Sequence, residues 1–173
     1  MKKNISDTSS ERNFNKLIRK LENKLWLDKQ IAQHSNPSTT LNAQADAVKN
    51  FRTRNNALSV FIADDADNIN RILAAIAAGS DKIYNADYAI FDADILDQHQ
   101  INYEKCPGET PDTTVNELHV DLKNLTAHQI CLLTQDIQNQ GTIDRVSKRD
   151  INAEINKGLA ENYLKRECIR ARL

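Results

Sequence analysis

Four glycines and three prolines in 173 residues leave few positions where the chain can turn sharply. Glycine reaches left-handed backbone conformations at no steric cost and proline presets the first angle of a turn. Their scarcity favours long helices over many short strands joined by tight hairpins. The expectation is a mainly α fold, a single helical domain of about five helices with at most a small two-stranded β element, and α+β as the alternative. Length allows one domain of ordinary size, spanning 10–173 behind a flexible segment 1–9.

The hydrophobic spacing fits that expectation. Thr8 and Glu11 form a capping-box pattern, and Phe14, Leu17, Ile18, Leu21 and Leu25 follow the rhythm of one helical face, predicting a helix over 10–33. The polar segment 34–40 predicts a loop. A second helix from Leu41 aligns Val48, Phe51, Leu58 and Ile62, interrupted by Asn55, although 58–62 reads equally as a strand. Asp64, Asp65 and Asp67 fit the start of a third helix, which carries Ile69, Ile72, Leu73 and Ile76 and stops at Gly79.

Beyond that helix, Tyr84, Tyr88, Ile90 and Phe91 predict a buried strand near 86–92, and 98–114 reads as a long loop. Leu118, Val120 and Leu122 alternate with polar residues, which predicts a strand at 117–122. Thr126 caps a helix that carries Ile130, Leu133 and Ile137 and ends at Gly141. A last helix over 150–170 is weakened by Gly158.

Net charge is −1, but it is unevenly distributed. Residues 1–60 hold 11 basic and 5 acidic side chains, 61–140 hold 4 and 14, and 141–173 hold 8 and 5. The near-zero total argues against bulk attraction to nucleic acid, and the uneven distribution leaves room for local patches. The basic sets are Arg12, Lys16, Arg19, Lys20 and Lys24 near the start, and Arg145, Lys148, Arg149, Lys165, Arg166, Arg170 and Arg172 near the end. Either set can meet phosphates, or pack on the acidic middle of the same chain or of a neighbour.

No export-signal pattern or membrane-length apolar run is present. Cys106, Cys131 and Cys168 are odd in number and widely spaced, which suits a reducing cytoplasm better than a disulfide framework. Glycine-built phosphate loops and nucleophile elbows are absent.

Two acidic patterns carry the enzymatic alternative. Asp92 and Asp94 end an apolar run and offer paired hard oxygen ligands for Mg²⁺ or Mn²⁺. The run Ile90–Asp94 resembles the first motif of haloacid-dehalogenase-type hydrolases, with Ile95-Leu96 standing where that family's Gly-Thr usually follows. His119 and Asp121, alternate residues on a strand, point to one side and can share a metal.

The leading expectation is a non-catalytic cytoplasmic interaction or accessory subunit of a protein or nucleoprotein complex, with no cofactor. It would bind a protein partner or a second copy, with nucleic acid as a further partner and no membrane association. The alternative is a divalent-metal-dependent phosphohydrolase or nuclease using Asp92 and Asp94.

Overall fold

The computed structural model describes residues 12–21, 48–51 and 53–170. Its centre is a six-stranded sheet: β1 Lys16–Leu21, β2 Ala57–Ile62, β3 Ala86–Asp92, β4 Asn102–Lys105, β5 His119–Lys123 and β6 Thr142–Val146. The strand order is β4-β5-β2-β1-β3-β6, and each neighbouring pair is antiparallel. The helices are α1 Asp67–Ala78, α2 Asp94–Gln98, α3 Thr113–Glu117, α4 Ala127–Gln140 and α5 Lys148–Ala160. The fold is therefore α+β, and the expectation of a mainly α, helical protein is overturned.

The reason lies in β1. Leu17 and Ile18 are both fully buried, yet Leu17 joins the core under α2 and α4 while Ile18 joins the core under α1 and α5. With both faces covered, β1 sets apolar Leu17 and Ile18 side by side instead of alternating apolar with polar, so Leu17, Ile18 and Leu21 imitate a helical stripe. The predicted helix over 10–33 is thus a strand at 16–21, and its remainder from residue 22, with the predicted loop at 34–40, lies outside the described residues. Segments 1–9 and 41–47 also lie outside them, and of the second predicted helix the structure describes a short 3-10 turn, Lys49–Phe51, followed by β2.

Turns come from asparagine. Asn55 and Asn56 have φ of 54° and 60°, and Arg54 and Ala57 exchange backbone hydrogen bonds of 2.9 and 3.0 Å across them. Two successive left-handed residues make the turn that matches strand twist, so Asn55 reverses the chain where a helix would require an apolar residue. Gln100, Asn124 and Asn162 are also left-handed, and no glycine among the described residues is. At Gln100 the chain leaves α2 through a Schellman arrangement, with Gln100 N–H on the Asp97 carbonyl and Ile101 N–H on that of Leu96.

Other boundaries also shift. β3 and β5 do form from the predicted strand segments, but β2 and β1 lie between them, so they do not pair. The expected loop 98–114 contains β4 and the start of α3, and the last helix ends at Ala160 rather than Arg170. α4 matches its sequence signals, with the Thr126 capping box and the stop at Gly141. Among the described residues no helix is long and apolar enough to cross a membrane.

Candidate functional site

β5 reads His119-Val120-Asp121-Leu122-Lys123, and alternation sends Val120 and Leu122 into the core under α2 and α4. His119, Asp121 and Lys123 therefore share the opposite face. Cross-strand register sets Phe61 and Ser59 of β2 beside His119 and Asp121, and Glu104 of β4 beside Asp121. Cys106 follows β4 and faces His119, whose carbonyl accepts its backbone N–H at 3.3 Å. One strip across three strands thus gathers a thiol, an imidazole and a carboxylate.

The three groups are in direct contact. Cys106 Sγ is 3.5 Å from His119 Nδ1 and donates to Asp121 Oδ2 at 3.5 Å, and His119 Nε2 is 3.6 Å from Asp121 Oδ1. His119 Nδ1 is also 3.0 Å from the Cys106 carbonyl, which can only accept, so Nδ1 carries a proton and donates it there. Ser59 Oγ donates to Asp121 Oδ1 at 3.3 Å, and Lys123 Nζ bridges Asp121 and Glu104 at 3.6 and 3.2 Å. The imidazole is buried, and the Phe61 ring meets it edge to face with centroids 5.1 Å apart. Gly108 allows this closeness, since a Cβ there would lie 3.2 Å from His119 Cβ.

Burial and, after it, the hydrogen bond to Asp121 push the Cys106 thiol above its ordinary pKa. A nucleophilic cysteine needs the opposite shift. The cluster is accordingly poor as a free thiolate nucleophile. His119 and Asp121 were legible from their spacing, whereas Cys106 enters through the β4–β5 register, which the sequence does not display.

The acidic pair does not join this cluster. Asp92 is exposed at the end of β3 opposite Lys16, with two strands between β3 and β5. Asp94 opens α2 and is bound by Arg12, which also donates to Asp97 and to the Ala93 carbonyl, both at 2.7 Å. Ile95 and Leu96 are buried core of α2, so the likeness to a hydrolase motif is a strand end running into a packed helix. His99 pairs with Asp136 on α4, and His128 lies exposed on the same helix.

The basic sets separate by role. Arg12 is held by Asp94 and Asp97, and Arg145 makes a paired contact with buried Asp87 across β3–β6, 2.9 Å from Nη2. Those contacts unite basic ends with the acidic middle inside one chain. Lys16, Lys148, Arg149, Lys165, Arg166 and Arg170 are exposed, while Lys24 and Arg172 lie outside the described residues. Arg19 donates to the Ser59 carbonyl at 2.6 Å.

Three cavities share walls on the α1 and α5 side. The first, about 370 Å³, is bordered by Arg19, Lys20, Ser59, Phe61 and His119. Gly79, Glu109 and Thr110 separate it from a second of about 590 Å³ that includes Lys165 and Arg170. Arg170 also borders the third, about 650 Å³, with Lys82, Tyr84 and Lys148. Tyr84 is 66% exposed and is the one large apolar side chain standing mostly in solvent among the described residues. Six cations and three carboxylates, Asp81, Glu109 and Glu167, line this track. No protein-family profile, curated protein or solved structure matches the chain.

Proposed function

We propose that the protein is a non-catalytic, cytoplasmic accessory subunit of a nucleoprotein complex, and that it holds single-stranded nucleic acid along the track from Tyr84 to Lys20. The observation that carries this reading is the meeting of basic residues from both ends of the chain on one set of adjoining cavities, beside an exposed aromatic ring. Lys82, Lys148 and Arg170 surround Tyr84 at one end. Cations in a groove follow the phosphates, and an exposed ring stacks a base for about 1–3 kcal/mol without needing sequence. The acidic side chains nearby limit affinity and favour contact within a larger assembly.

Anisotropy of a labelled oligouridine tests the proposal. Neutralising three phosphates predicts a fall in affinity of about twentyfold between 50 and 200 mM salt, from the slope of about −0.7 per phosphate for single strands. Lys148→Glu with Arg170→Glu should abolish binding, and Tyr84→Ala should weaken it about tenfold with little change in salt slope. Absence of binding at 50 mM salt, or variants that bind like the unmodified protein, would reject the reading.

A further inference from the structure

We propose that Cys106, His119 and Asp121 form a zinc site with three protein ligands and one exchangeable position. Zinc binds sulfur at about 2.3 Å and nitrogen or oxygen at about 2.0–2.2 Å, so the edges of its tetrahedron measure about 3.3–3.7 Å. The contacts Sγ to Oδ2 at 3.5 Å and Nε2 to Oδ1 at 3.6 Å have that length and use both carboxylate oxygens, while the sulfur meets the ring at Nδ1, also at 3.5 Å. One donor atom from each of the three residues lies within 4.8 Å of the others. Sharing one ion through Nε2 requires the side chains to turn so that the sulfur and Nε2 face a common point.

The surroundings are those of a ligand set held in place. A metal-binding histidine commonly donates its other ring N–H to a carbonyl or carboxylate, which fixes ring and tautomer. Here Nδ1 lies 3.0 Å from the Cys106 carbonyl and leaves Nε2 for the metal. Ser59 steadies the carboxylate from β2. Lys123 keeps Glu104 as a partner when Asp121 turns to the ion. Thiolate and carboxylate together balance the charge of a divalent cation.

The donors also choose the metal. Sulfur and imidazole favour zinc or cobalt over magnesium and manganese, so this site differs from the hard-oxygen site expected at Asp92 and Asp94. Three protein ligands leave the fourth position to an exchangeable ligand such as water. Of the three ligands, His119 borders the 370 Å³ cavity, together with Ser59.

Cobalt(II) titration of the full chain, stripped of metal with a chelator, is the direct test. One equivalent should produce the intense visible bands of tetrahedral cobalt and a near-ultraviolet sulfur-to-cobalt charge-transfer band, both removed by zinc and untouched by excess magnesium. Cys106→Ser should abolish the charge-transfer band, Asp121→Asn should weaken zinc binding by at least about tenfold, and Cys131→Ser with Cys168→Ser should change nothing. Zinc should also shield Cys106 of the unmodified protein from iodoacetamide, read by peptide mass spectrometry, which does not depend on any variant folding. A protein that gives no tetrahedral cobalt spectrum, or whose Cys106 alkylates equally fast with zinc, overturns the proposal.

Discussion

Arg71 grips Asp112 through two hydrogen bonds, 2.6 Å from Nε and 3.0 Å from Nη2, and Asp112 is wholly inaccessible to solvent. The same carboxylate caps α3 by accepting from the N–H groups of Thr114 and Val115 at 2.9 and 3.2 Å. The guanidinium in turn lies 4.1 Å from the centre of the Tyr163 ring. α1, α3 and the segment after α5 meet at this one buried charge. Asp112→Ala should therefore cost about 3 kcal/mol, the low end for breaking a buried pair because Arg71 is partly exposed. Urea unfolding of the two proteins measures it, and a loss below about 1 kcal/mol would mean that the pair is not holding the elements together.

Tyr163 donates its hydroxyl to Glu154 Oε1 at 2.8 Å, and burial first, then this bond, raises its pKa well above the ordinary value. The neutral phenol is the form that the folded state favours. Above about pH 10 the unfolded chain releases this proton while the folded chain keeps it, so stability is intact below that pH and falls as pH rises through it. Tyr88, raised chiefly by burial, adds to the same decline. Tyr163→Phe should flatten the decline in unfolding free energy between pH 9 and about pH 11. Parallel curves for both proteins would refute the assignment.

Gly158 sits within α5, where alanine would ordinarily gain about 1 kcal/mol in helix propensity. A Cβ there would lie 2.6 Å from Tyr163 Cε2 and 2.7 Å from Leu164 Cδ1, and Leu164 is buried against the helix. Crowding outweighs propensity, and Gly158→Ala should lower stability by about 1–2 kcal/mol. A higher midpoint in thermal unfolding would show that Leu164 gives way freely.

The turn at Asn55 and Asn56 supplies a fourth test. A β-branched side chain at the left-handed φ of Asn56 meets its own backbone, so Asn56→Val should cost about 1–2 kcal/mol, whereas Asn56→Gly should be neutral or stabilising. Equal stability of the two variants would show that the turn rearranges.

Sequence periodicity identified α1 and α4 because both have one buried side and clear stops, at Gly79 and Gly141. It failed at Leu17 and Ile18, since a strand buried on both faces loses the alternation that marks strands. Few glycines suggested few turns, yet asparagine at 55, 56, 124 and 162 turns the chain in glycine's place. At the candidate site, His119 and Asp121 were visible through their spacing. β4, reading Asn-Tyr-Glu-Lys, carries almost no hydrophobic signal, and without it nothing brings Cys106 to them.

β1 is the sheet's sole bridge between β4-β5-β2 on one side and β3-β6 on the other. Both of its partners come later in the chain, β3 as far on as Asp92, and β2 finds its other neighbour beyond residue 118. During synthesis, β1 meets its first partner, β2, only after some forty further residues and its second, β3, only after some seventy. Contacts so distant in sequence close slowly, and the cores under the two helix pairs cannot seal independently of that closure. Loss of β1 would not trim an edge. It would part the sheet into two halves, each with an unpaired strand edge.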